Sequence, residues 1–249
     1  VENRIFAEKF SILTLALLLA FASTSAVAEV DHALPEYTGI PAPEMPPWTG
    51  LVGDNPGGGG VIDDFNRPDG PLGPNWTVQV GDIVIADQAA TGSNASIATH
   101  NSATGDHVEM DVEIDPQGGL QFAAAILNYG GGATNLLIKV QNNDFGPTFD
   151  RVFCYTGNQV ALFGVGVHVL SERFSSARML VTVDASRVVT INLTNIDGGT
   201  LPDQQYICAD APPPEGPAIG IGTYGNYAIR IDNWGDGPVP VELMSLSVE

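Results

Sequence analysis

The chain is short of positive charge. It has 9 Lys and Arg against 29 Asp and Glu, a formal net charge of −20 over 249 residues. Only two lysines occur, Lys9 and Lys139. A surface so poor in cations repels phosphate backbones and anionic headgroups, which argues against nucleic acid and anionic membrane as partners. Cysteine is scarce too, with Cys154 and Cys208 alone, and the four histidines are scattered, so no Cys/His spacing supports zinc. There is no serine-triad signature. Gly164–His168 has glycines, but strands surround it and no helix follows, so it is no phosphate loop. Long 3.6-residue periodicity is absent after residue 28, and only one long apolar run exists, Phe10–Ala22. That run has 13 residues, short of the roughly 20 needed to span a bilayer.

What is present reads in three parts. Arg4 and Lys9 precede the apolar run and Ala26-Val27-Ala28 follows it, the pattern of a cleavable secretory signal over residues 1–28. The expectation is a secreted or periplasmic protein, with a place on the cell surface open, and no membrane insertion once the signal is cut. Residues 29–60 are rich in proline and end in four glycines, which reads as a linker carrying Trp48. From Val61 to Glu249, short alternating runs are separated by Gly, Pro, Asn and Asp turns, with no internal repeat. The first of these stretches is VIDDFNRPDGPLGPNWTVQV, with Arg67–Gly70 as a turn and Trp76 as a core anchor. Later strands are expected at His107–Asp115, Leu120–Asn128, Asn135–Asn142, Phe149–Tyr155, Val160–Gly164, Arg178–Val183, Val188–Thr194, Gln204–Cys208, Ala218–Tyr224, Ala228–Asn233 and Val241–Val248. So many strands in one domain predict an all-β sandwich or barrel.

DDFNRPDGPLGPNWTV, FDRVFCYTGN and GIGTYGNYAIRIDNW resemble the concanavalin A-like, laminin-G-like jelly-roll domains of secreted bacterial proteins. The resemblance covers residues 61–249 and implies a jelly-roll β-sandwich of two antiparallel sheets. It also implies that the first and last strands lie side by side, pairing Asp63–Phe65 with Ile231–Asn233. The fold serves carbohydrate-binding modules, adhesion domains and glycoside hydrolases alike.

Four groups of residues carry candidate chemistry. Glu109-Met110-Asp111-Val112-Glu113 alternates, so Glu109, Asp111, Glu113 and Asp115 share one face and Val108, Met110, Val112 and Ile114 the other. The motif is similar to the E-x-D-x-E strand of family 16 glycoside hydrolases. That likeness implies Glu109 as nucleophile, Asp111 as its tuner and Glu113 as acid/base. The alternative is a solvated acidic strip, with Pro116–Gly119 closing a hairpin and Lys139 reaching across Ala123 to neutralise it. Asp63, Asp64 and Asp232 would converge if the terminal strands pair, which suits a structural calcium; the alternative is that they bond turn backbone groups. Cys154 and Cys208, in an exported chain, suggest one disulfide, with two buried thiols as the alternative. Tyr129, Asn142, Asn143, Tyr224 and Tyr227 sit in rim-type loops with the ring and amide groups that bind sugars.

The leading expectation is therefore non-catalytic recognition of a carbohydrate, such as a cell-surface or matrix glycan, with no cofactor beyond a possible calcium. A β-glucanase using Glu109 and Glu113, or a purely structural adhesion or matrix protein, are the alternatives.

Overall fold

The computed structural model describes residues 61–115, 119–131, 134–157 and 159–235. The expected signal, the linker with Trp48, and the strand at Val241–Val248 lie outside them.

The described residues form sixteen strands and no helix: β1 (Val61–Asp63), β2 (Gly70–Pro71), β3 (Trp76–Val80), β4 (Ile83–Ala86), β5 (Ala89–Gly92), β6 (Ser96–Thr104), β7 (His107–Ile114), β8 (Phe122–Tyr129), β9 (Leu136–Gln141), β10 (Phe149–Thr156), β11 (Ala161–Phe174), β12 (Ser176–Val183), β13 (Val189–Thr194), β14 (Gln204–Cys208), β15 (Ala218–Tyr224) and β16 (Ile229–Gly235). They make a jelly-roll sandwich of two antiparallel sheets. The larger runs β14-β13-β12-β7-β16-β5-β4-β2, with β1 also on β16. The smaller runs β11-β10-β9-β8-β15-β6-β3.

The period-2 pattern decides which face each side chain takes. Val108, Met110, Val112 and Ile114 of β7 enter the core with Met179 and Val181 of β12 and Ile191 of β13. From the smaller sheet come Ile138 and Val140 of β9, Val152 and Cys154 of β10, and Ile221 of β15. Cys154 and Cys208 are both fully buried and form a disulfide. Because β10 is in the smaller sheet and β14 edges the larger, the bond ties the two sheets together along one side.

β1 pairs with β16, as the resemblance implied, but through Val61–Asp63 rather than Asp63–Phe65: Val61 faces Gly235 and Asp63 faces Trp234, one position beyond the Asn233 of a regular antiparallel match. The one-residue slip is an irregularity of this pairing between Val61 and Asp63. Trp234 is completely buried, with its ring 4.7 Å from Trp76, which also packs on Phe65 at 5.7 Å. Asp63 accepts hydrogen bonds from Trp76 Nε1 at 2.7 Å, from the Phe65 amide at 2.9 Å and from both terminal nitrogens of Arg67. Phe65 is not in a strand; its φ of 48° turns the chain and drops the ring into the core.

Two expectations about neighbours fail. β7 does not make a hairpin with β8. It lies between β12 and β16, and β8 is in the opposite sheet. Lys139 therefore stands away from the acidic strand, opposite Ala124 on the smaller sheet. The expected strand Val160–Gly164 is the beginning of the fourteen-residue β11, which edges the smaller sheet. The short strands β2 and β5 had no sequence signal.

Candidate functional site

Each sheet has one face turned away from the core, and the two outward faces differ in chemistry. On the larger sheet, the outward positions of β7 are Glu109, Asp111 and Glu113. Arg178 of β12 is directly across from Asp111, and Arg230 and Asp232 of β16 are across from Glu113 and Asp111 on the other side. The Asp111 carboxylate accepts from Arg178 Nε at 2.9 Å and from Asn233 Nδ2 at 2.8 Å. Arg178 is also 3.9 Å from Glu109. Burial raises the pKa of Glu109, with Arg178 working against it and Asp111 with it. Burial likewise raises Glu113, against the pull of Arg230. Burial, with Asp111 and Asp64 nearby, pushes Asp232 up to about 6. β7 runs against β12 without a bulge. The outward positions of β7, β12, β13 and β16 carry no Phe, Tyr or Trp. This face is a lattice of acids interleaved with two arginines.

The smaller sheet's outward face is aromatic. The core-facing Cys154 sets the alternation of β10, so Arg151, Phe153 and Tyr155 point outward. In register across the sheet, Phe153 lies beside Lys139, then Ala124, Gly222 and Ile97. The next rows are Tyr155, Leu137 and Ile126, and on the other side Arg151, Gln141, Phe122 and Tyr224. Ala124 and Gly222 keep the middle low; a Cβ on Gly222 would meet Ala124 Cβ at 3.3 Å. Ile97, Phe122, Ala124, Ile126 and Leu137 form an apolar cluster of their own, with Tyr129, Tyr155 and Tyr224 half-buried against it. Phe122 stacks on Tyr224 at 5.7 Å and 13°, and Phe153 on Tyr155 at 5.7 Å and 14°. Burial raises the Tyr155 and Tyr224 hydroxyl pKa values, which keeps both protonated and able to donate.

Polar groups are set into this surface. Lys139 is 3% exposed; its Nζ lies 4.4 Å from the Phe122 ring centre, 4.9 Å from Phe153 and 5.0 Å from Tyr155. It donates to Gln159 Oε1 at 2.5 Å. Burial pushes its pKa down to about 7, while the three ring faces favour its charged form. Gln141, 5% exposed, donates to Asn143 Oδ1 at 3.2 Å, and its Oε1 is buried without a partner. At the far end Tyr129 donates to Gln79, which donates to Thr99.

Of the five sequence-proposed sugar ligands, three therefore meet this face: Tyr129, Tyr224 and, through Gln141, Asn143. Asn142 is fully buried and its amide is used within the loop: Oδ1 accepts from the Gln121 amide, and Nδ2 donates to the carbonyls of Gly119 and Gly146. Tyr227 is elsewhere, donating to Asp82 at 2.9 Å. The reading by motif missed Phe122, Lys139, Phe153, Tyr155 and Gln141. The signal available was Cys154: once it faces the core, its neighbours Phe153 and Tyr155 must face out.

Of the three proposed calcium ligands, Asp63 is engaged by Arg67, Trp76 and Phe65. Asp64 accepts from the Asn66 amide, and Asp232 from the Asn233 amide. Among the described residues no group of three or more His, Cys, Asp or Glu is arranged to hold a metal ion.

No protein-family model matches the sequence, and no curated protein matches it significantly. Solved structures do align. A carbohydrate-binding module, CBM66 from Bacillus subtilis, superposes with a TM-score of 0.43 at 14% identity, over 69% of this chain and 98% of that one. A glycosyl hydrolase family 16 protein from Mycobacterium smegmatis gives 0.43 at 13%, over 69% and 96%. A legume lectin-like domain from Entamoeba histolytica gives 0.40 at 12%, over 66% and 90%.

Proposed function

We propose that the chain is a non-catalytic carbohydrate-binding domain of an exported protein and that the outward face of the smaller sheet is its glycan platform. The observation that carries this is the half-buried Tyr129, Tyr155 and Tyr224 ranged over the low Ala124–Gly222 floor. Rings presented this way stack on the C–H faces of pyranoses, while phenol and amide groups hydrogen-bond the hydroxyls. The buried, unpartnered Gln141 Oε1 is an acceptor that a sugar hydroxyl would satisfy. The disulfide fits an oxidising compartment.

A glycan array on the wild type, with Tyr155→Leu and Tyr224→Leu alongside, tests the reading. Leucine preserves apolar burial but removes the ring. Binding by the wild type and its loss in both variants, with melting temperatures close to wild type, is the expected result. No binding to any glycan, or unchanged binding by both variants, would overturn it.

One observation favours hydrolysis as a second reading: burial raises both Glu109 and Glu113, as a catalytic acid requires. Against it, Arg178 occupies the space beside Glu109 and Asp111, and the outward positions of β7, β12, β13 and β16 offer no rings to seat a sugar. A reducing-sugar assay on β-glucans decides: activity lost in both Glu109→Gln and Glu113→Gln would restore the enzyme.

A further inference from the structure

We propose that the platform recognises acidic saccharides, with Lys139 as its anion-binding centre and the Gln159 side chain occupying the anion's place in the empty protein. The inference rests on the glycan reading and names the ligand's charge.

It starts from an imbalance. Outside residues 1–28 the sequence has 18 Asp and 9 Glu against 6 Arg and 1 Lys. Acids are abundant, and Arg67, Arg151, Arg173 and Arg178 each have one. Lys139 has none within ion-pair distance among the described residues. It is also nearly sealed from water. A buried ammonium without a counter-ion is costly, and cation–π contacts with three rings recover only part of that cost. An alanine or methionine would fill the row between Phe153 and Ala124 more cheaply. Among the described residues, what the site lacks is a negatively charged oxygen.

Among the described residues, none of the groups facing Lys139 supplies one. From β8 they are Phe122, Ala124, Ile126 and Tyr129; from β10, Arg151, Phe153 and Tyr155; from β15, Tyr224. Arg151 is occupied by Asp150 at 2.9 Å, and burial keeps Tyr155 and Tyr224 protonated. Among the described residues the hydrogen-bond partner of Nζ is Gln159, an amide oxygen from the turn between β10 and β11, half-exposed and held at a φ of 65°. A carboxylate or sulfate oxygen in that position would make a charge-assisted bond, roughly twice as strong as a neutral one. Gln141, the next outward residue of β9, independently leaves its buried Oε1 unpaired, ready for a hydroxyl of the same sugar. The net negative charge of the protein does not forbid this, because repulsion beyond about 8 Å is screened at physiological salt.

The test uses the full chain on affinity gels containing polygalacturonate (carboxylate), carrageenan (sulfate), or laminarin and xylan (neutral). Two variants accompany the wild type. Lys139→Met removes the charge and keeps the bulk. Gln159→Glu places an internal carboxylate on Nζ and should compete with the ligand. The expected result is retardation by one or both acidic polymers, weakened about tenfold or more in each variant. Which acidic polymer responds distinguishes carboxylate from sulfate. Wild-type affinity should fall as pH rises from about 6 to about 9, and Lys139→Arg should abolish that fall. Binding of neutral glycans only, or acidic binding that survives both variants, would overturn the inference and leave the platform reading standing. Binding of no polymer at all would overturn both.

Discussion

The guanidinium of Arg178 lies between two carboxylates of the neighbouring strand, with Nε 2.9 Å from Asp111 and 3.9 Å from Glu109. The side chains of Arg178 and Asp111 are only 13% and 6% exposed, so the pair is largely desolvated. Arg178→Met should therefore cost roughly 3 kcal/mol, because it strands a buried carboxylate. Glu109→Gln should change stability by less than about 1 kcal/mol, since burial already disfavours its charge. Urea denaturation of the three proteins measures both. Equal losses would mean that Glu109, not Asp111, is the anchored acid.

The Cys154–Cys208 bond joins β10 to β14, and so one sheet to the other, along one side of the sandwich. The residues are 54 apart in sequence, for which the chain-entropy relation gives about 4 kcal/mol. Reduction, or the Cys154→Ala, Cys208→Ala double variant, should lower the denaturation midpoint by a corresponding amount. Glycan binding should survive wherever the fold does, because neither sulfur reaches the outward face. Lost binding in a folded, reduced protein would show that the bond also sets the positions of Phe153 and Tyr155.

Residue alternation was a sound guide to faces but a poor one to neighbours. Val108, Met110, Val112 and Ile114 could be assigned to the core from period 2 alone, and all four are within 1% of full burial. Which strand lies beside β7 could not be read the same way. Turn residues at 116–119 allow a hairpin or a crossover, and the partners that win, Arg178 and Asp232, are 67 and 121 positions from Asp111. That long-range choice depends on how two whole sheets close over one core. The terminal clasp was legible because Trp76 and the IRIDNW segment are distinctive; its exact register was not, because the irregularity between Val61 and Asp63 has no sequence signature. The aromatic platform escaped notice because its residues come from five strands, β6, β8, β9, β10 and β15, none contributing more than four.

Asp232 offers a test of the calcium expectation. Its pKa is raised to about 6 in the folded chain, from an ordinary 3.8, chiefly by burial. The folded state thus binds more protons than the unfolded one between about pH 4 and 6. This group's contribution to stability is present below pH 4, falls as pH rises through that window, and stays lost above it. Asp232→Asn should accordingly raise the melting temperature at pH 7.5 and leave it unchanged at pH 3.5. Chelation by EDTA should not alter the wild type, because Asp63 is committed to Arg67 and Trp76. A bound calcium would reverse both signs: EDTA would lower the melting temperature, and Asp232→Asn would destabilise.

Lys139 should leave its own mark on stability, apart from any ligand. The ammonium titrates near 10.5 in an open chain and at about 7 in the fold, because burial disfavours the charge. Between these values the unfolded chain holds more protons, so this group makes the fold more stable as pH rises from about 7 to 10.5. Below 7 its penalty is complete, on the order of 5 kcal/mol before the ring faces return part of it. Lys139→Met should therefore be more stable than wild type at pH 6, and the gap should close as pH approaches 10. Denaturant titrations at pH 6, 8 and 10 would follow it. A variant less stable than wild type at pH 6 would mean that the three rings and Gln159 more than compensate the buried charge, making Lys139 a structural support of the platform.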